Sequence, residues 1–163
     1  MGEQIDQLVR KLRDEGEAAQ ARLAALPLEA WETPVYAEGQ VWRVRDVLAH
    51  LVSAERGHQN LIANVAGGGP GSPPDFDLNR YNNSRVAKLA GRSVPDLLAD
   101  LQAVRADTIS LVAGLSDEDL MRRGNHPALG NDTALADFIR IVFMHVRMHL
   151  RDITRVLADM PRS

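Results

Sequence analysis

Two histidines four residues apart, His145 and His149, stand in FMHVRMHLRDI, residues 143–153. At about 100° per residue the two rings lie about 40° apart on one helix face. Phe138, Val142, Ile153 and Val156 share that face, while Arg140, Arg147, Arg151 and Arg155 mark the opposite one. Both imidazoles therefore point into the core, where each needs a hydrogen-bond partner or a ligand role. The i, i+4 spacing brings two rings to one metal ion. The same spacing also fits two core histidines that are satisfied by their neighbours. Val146 stands where a zinc protease carries its glutamate, so the pair supplies at most two ligands and no general base.

A third ligand must come from another helix, and the second helical segment offers His50 and His58. His58 falls near the centre of the stripe made by Val44, Val47, Leu51, Ala54, Ile62 and Val65, with His50 on its flank. Wheel geometry alone slightly favours His58 as the buried one. Glu55 and His58 also form the Glu-x-x-His pair of di-iron bundles, but the chain has no second copy, so a di-iron reading fails. The run AGGGPG, residues 66–71, lacks the lysine and the strand–helix setting of a phosphate loop. His126 precedes Pro127 in a link and reads as a surface or capping residue.

The elements that position these residues are helical almost throughout. Ile5, Leu8, Val9, Leu12, Leu23 and Leu26 recur at helical spacing until Pro27 ends the first segment. A turn-rich stretch around Gly39 precedes a second helix from about Arg43 to Val65. After the Gly-Pro stretch, residues 67–74, DLNRYNNSRVAKLAG can form a short helix. A long helix follows from Ser93 to about Leu115, with Pro95 tolerated in its first turn. The last opens near Asp132 or Thr133 and runs to about Met160. No alternating strand pattern appears. The expected fold is an all-α four-helix bundle, a single domain over residues 1–163. The long connection between its second and third long helices is either a recrossing of the bundle, leaving those helices parallel, a lid, or a surface insertion.

Composition narrows the function classes. With 45% hydrophobic and 25% charged residues the chain is an ordinary globular one, and a net charge of −3 gives no electrostatic reason to expect nucleic acid. Without cysteine there is no disulfide, no thiolate metal site and no nucleophilic protein thiol. The N-terminus is charged from Glu3, and no segment approaches the roughly 20 apolar residues of a membrane span. A cytoplasmic protein is expected.

VWRVRDVLAHLVSAERGH, DFDLNRYNN and HPALGNDTALADFIRIVFMHVRMHLRDI together resemble the DinB-like superfamily of four-helix-bundle metalloenzymes. Its relatives include the bacillithiol and mycothiol S-transferases and the N-terminal domain of mycothiol-dependent maleylpyruvate isomerase. The resemblance implies a divalent metal, zinc or nickel, held by His50, His145 and His149, which sets His50 above His58. It further implies a small-molecule substrate, a low-molecular-weight thiol as cosubstrate, and a homodimer. Family members often carry Gln three residues after the last ligand. This chain has Asp152 there, which can orient an imidazole from behind. Asn79, Tyr81, Asn82 and Asn83 fall where the family has a polar patch beside its site. Thiol transfer and hydrolysis are both within reach of such a centre, and a non-catalytic metal-binding or regulatory bundle is the alternative.

Overall fold

The computed structural model describes residues 2–160. Helix α1 spans Glu3–Ala24 and buries Ile5, Leu8, Val9, Leu12, Ala19 and Leu23 along one face. Its exposed first turn is capped from a distance, because the Asp117 carboxylate accepts the backbone N–H groups of Gln4 and Ile5. Helix α2, Val44–Ala66, starts where Asp46 accepts the backbone N–H of Arg43. Helix α3, Leu78–Lys88, is capped by Asp77. Helix α4, Val94–Ala113, is capped by Ser93 and accommodates Pro95 in its first turn. Helix α5, Leu135–Ala158, carries His145 and His149.

The links contain two small antiparallel hairpins that the sequence did not reveal. Strands β1, Pro34–Tyr36, and β2, Trp42–Arg43, enclose Gly39, whose φ of 74° suits a residue without Cβ. Strands β3, Arg123–His126, and β4, Gly130–Ala134, form the second. Thr133 pairs with Gly124 in that hairpin, so α5 opens at Leu135 rather than at Asp132 or Thr133. Strands this short show too few alternating positions to register as a period of two.

Two core clusters give the direction of each long helix. One joins Ala19 and Leu23 of α1 to Val44–Val52 of α2, Leu97–Val104 of α4 and Val146–Ile153 of α5. The other joins Ile5–Leu12, Ile62 with Val65, Val112 and Leu135–Phe143. The start of α2 therefore lies level with the start of α4 and with the ends of α1 and α5. Helices α2 and α4 run parallel, and α1 and α5 run parallel to each other in the opposite sense. Each of α1 and α2 packs against both α4 and α5. A parallel neighbour can be reached only by carrying the chain back along the bundle, a distance of about 35 Å for a helix of this length. The segment from Gly67 to Ser93 makes that recrossing, with α3 resting on α2. Its Gly-Pro part is docked rather than loose. Gly71 bridges to Asn125 with φ 87°, and a Cβ there would come within 2.3 Å of the Asn125 carbonyl oxygen.

One polar group sits in the middle of this core. Arg105 donates to both Glu55 carboxylate oxygens at 2.7 and 3.1 Å, and to the Leu12 carbonyl at 2.9 Å. Thr108 donates to the same carboxylate at 2.8 Å. Glu55 is thereby committed to holding α2 against α4 and α1. That removes it from any metal chemistry with His58, as the missing second Glu-x-x-His already indicated.

Candidate metal centre

The first hairpin, α2, α3 and α5 converge on one group of side chains. His50 projects from the first half of α2, and His145 and His149 from the middle of α5. The Nε2 atom of His145 lies 3.0 Å from the Nε2 of His50 and 3.0 Å from the Nε2 of His149. The three rings meet nearly at right angles, with interplanar angles of 80°, 83° and 87°. Their nitrogens thus approach one point from three directions and form a group that can hold a metal ion.

All three imidazoles are neutral at pH 7. Burial pushes His50 down to about 3, with the His149 and His58 rings adding to the effect. His149 falls to about 4, again by burial, although Asp152 opposes the shift. His145 is lowered furthest, first by burial and then by the imidazoles around it.

The proton positions follow from the partners. Burial, then the hydrogen bond to Asp152, raises the Tyr36 hydroxyl well above the usual phenol range, so it remains a donor. It donates to Asp152 Oδ2 at 2.5 Å, and its oxygen lies 2.8 Å from His149 Nδ1. His149 must therefore carry its proton on Nδ1 and donate it to Tyr36, leaving a lone pair on Nε2. Asp152 does orient an imidazole, but through Tyr36 rather than by direct contact. This carboxylate–phenol–imidazole chain is the kind of support that metal-binding histidines require.

At His145 the three nitrogens have no satisfactory arrangement of protons alone. A single N–H on its Nε2 can point at His50 or at His149 but not at both. A cation held by the three neutral imidazoles would satisfy every one of these lone pairs at once. The donor set fits a divalent ion. His50 Nδ1 is buried without a hydrogen-bond partner, as is the Trp42 indole N–H. The His50 ring is positioned instead by packing, with its centroid 4.8 Å from that of Trp42.

His58 is a neighbour of this group and not a member of it. Its Nδ1 donates to the Ala54 carbonyl at 2.8 Å, which leaves Nε2 as an acceptor. His126 Nδ1 accepts the backbone N–H groups of Ala128 and Leu129, so its Nε2–H donates to His58 Nε2 at 3.3 Å. Both His58 nitrogens are therefore occupied. The sequence expectation for His126 is half corrected: it does cap a turn, but it is 3% exposed and stacks on His58. Its strand was invisible in the sequence, and so was its burial.

A cavity of about 450 Å³ opens beside the three histidines. Asn79, Asn82 and Asn83 of α3 line one side, and Tyr36, Glu38 and Trp42 of the first hairpin the other. Tyr81 faces away, toward His58 and Phe76, and the Gly-Pro stretch borders that second space rather than the triad. Tyr36 and Trp42 were missed from the sequence. The available signal was a pair of aromatic residues flanking Gly39 in PVYAEGQVW, which the structure sets opposite each other across the hairpin.

A family match and a likeness to solved bundles place the chain in the DinB-like superfamily of helical bundles. Within it, the chain belongs to the mycothiol maleylpyruvate isomerase N-terminal domain family, which it matches over residues 12–154. Among solved structures it is similar to YfiT from Bacillus subtilis, described as a probable metal-dependent hydrolase with an unusual four-helix bundle topology. That likeness has 20% identity and a TM-score of 0.78, over 100% of this chain and 91% of YfiT. It is also similar to a mycothiol-dependent maleylpyruvate isomerase, at 14% identity and a TM-score of 0.74, over 91% of this chain but only 60% of the isomerase. An uncharacterised protein from Escherichia coli UTI89 aligns at 17% identity with a TM-score of 0.69, over 95% of this chain and 91% of that protein. No curated protein matches the chain by sequence. Among the described residues, no helix is long and apolar enough to cross a membrane.

Proposed function

We propose that His50, His145 and His149 hold one divalent cation, zinc or nickel, and that the cavity beside them joins a low-molecular-weight thiol to an electrophilic small molecule. The observation that carries this reading is the convergence of three neutral Nε2 atoms that protons alone cannot reconcile. When bound, the cation supplies Lewis acidity that lowers the pKa of a thiol or a water molecule beside it. Tyr36 and Asp152 keep His149 in the tautomer that presents Nε2. Trp42 covers His50 and keeps water from that flank of the site. Asn79, Asn82 and Asn83 offer amide donors and acceptors that orient the polar groups of a substrate. In the transfer, the thiol loses its proton and its sulfur bonds to the electrophilic carbon. The electron pair displaced from that carbon takes up a proton in turn. The mycothiol dependence of one fold neighbour supports the thiol. The absence of cysteine agrees with a thiol brought in from outside.

Hydrolysis, with water in place of the thiol, is the second reading, supported by the description of YfiT. Titrating cobalt-loaded protein with low-molecular-weight thiols separates the two through the thiolate-to-cobalt charge-transfer band. A saturable band supports thiol transfer. Ester turnover without a band moves the assignment to hydrolysis. A protein that takes up no metal overturns both and leaves a non-catalytic bundle.

For assembly we propose a homodimer through α1 and its C-cap, where Ala18, Ala21, Ala24 and the capping Ala25 are exposed while Ala19 packs inward. Small side chains let a second helix approach closely. Light scattering that returns the monomer mass of 17.9 kDa would defeat this.

A further inference from the structure

Away from the histidines, α2 and α3 enclose another cavity, of about 260 Å³. Its rim carries three exposed cations, Arg56 from α2 and Arg85 and Lys88 from α3. Ser53, Asn60 and Tyr81 add polar groups, and no acidic side chain lines it. Arginines elsewhere are matched with carboxylates, among them Arg43, Arg92, Arg105, Arg123 and Arg147. Among the described residues, Arg56, Arg85 and Lys88 have no such partner. The Arg85 guanidinium instead sits over the Tyr81 ring, 5.0 Å from its centroid, which fixes its place without neutralising its charge. This is not the by-product of a basic surface, since the chain as a whole carries a net charge of −3. Three like charges around one concavity repel one another until an anion enters.

We propose that this cavity binds the oxyanion group of a small molecule. Two guanidinium forks suit the paired oxygens of a phosphate or a carboxylate, and a third cation favours the doubly charged phosphate. The Asn60 amide and the Tyr81 hydroxyl supply further donors, while the Ser53 hydroxyl is already given to the His50 carbonyl. The cavity shares no lining residue with the one beside the three histidines.

The test is a titration of the full chain, as purified, with inorganic phosphate and separately with acetate, at constant ionic strength, followed by calorimetry and amide NMR. Saturable phosphate binding with shifts confined to residues around Ser53–Asn60 and Tyr81–Leu89 is expected. Arg56→Gln and Arg85→Gln should each weaken it about tenfold or more. Arg151→Gln, an exposed arginine on α5, should not change it, and neither should His149→Ala, which separates this site from the metal. Acetate binding as tightly as phosphate assigns the site to carboxylates. Non-saturating shifts common to both salts, or a phosphate affinity unchanged in Arg85→Gln, overturn the proposal.

Discussion

Replacing Tyr36 by Phe removes one oxygen and keeps the ring, so its effect reports on the hydrogen-bond chain alone. That oxygen accepts from His149 Nδ1 at 2.8 Å and donates to Asp152 at 2.5 Å. Asp152 has a side chain 22% exposed, and water can replace the phenol there. His149 is only 7% exposed, so its Nδ1–H loses its acceptor with little access to solvent. Without a cation the imidazole can escape by changing tautomer or turning. Holding a cation on Nε2 forces the proton back to Nδ1, where it is unsatisfied. The cost of about 1–3 kcal/mol is therefore felt in metal affinity, as a weakening of about 10- to 100-fold. Competition against a chelating dye at neutral pH measures it, with thermal unfolding of the metal-free variant as a check on folding. Asp152→Asn should weaken affinity less, because an amide still accepts from Tyr36. If Tyr36→Phe binds metal within about twofold of the unmodified protein, the oxygen plays no part in orienting His149.

Other outcomes follow from the same geometry. His50→Ala, His145→Ala and His149→Ala should each abolish stoichiometric metal uptake while His58→Ala retains it; loss in His58→Ala alone would reverse the assignment of the α2 ligand. Acid should unfold the metal-free protein, because His50 is depressed to about 3, His126 and His149 to about 4, and His145 further. An unfolded imidazole titrates near about 6.5, so below that pH the unfolded chain binds protons that the folded one refuses. Stability is then complete above pH ~6.5 and lost progressively toward pH ~4, each such group adding about 1.4 kcal/mol per pH unit to the slope. Urea unfolding at a series of pH values measures that slope, and constant stability down to pH ~4 contradicts the burial of these rings. Glu55→Gln should destabilise the fold by about 3–5 kcal/mol, since Arg105 keeps its charge in a 6% exposed site; an unchanged urea midpoint would mean the pair is not buried in solution.

The four long helices and their inward faces were legible because helical burial writes a local period into the chain. The stripe through Val44, Val47, Leu51 and Ile62, and that through Phe138, Val142 and Ile153, need no knowledge of the partner helix. The spacing of His145 and His149 is local in the same way. What periodicity could not decide was which α2 histidine joins them. His58 lies nearer the centre of the apolar stripe, and only family resemblance pointed to His50. The structure brings His50 to the pair because the crossing of α2 and α5 sets which turn meets which, and it gives His58 to His126.

Tyr36, Trp42 and His126 were out of reach for another reason. They lie on strands of two to four residues whose pairing partners sit across a turn, too short to leave a period. The parallel course of α2 and α4 also needed tertiary structure. The sequence showed a connection long enough to recross the bundle, but a lid or an insertion has the same length and composition. Direction is a property of which core residues share a layer, and Val44–Val52 share theirs with Leu97–Val104. Side-chain type and local period were decided residue by residue along the chain. The three-histidine group and its support depend on contacts between residues about 95 and 113 positions apart, His50 with His145 and Tyr36 with His149, and those distances exist only once the helices have packed.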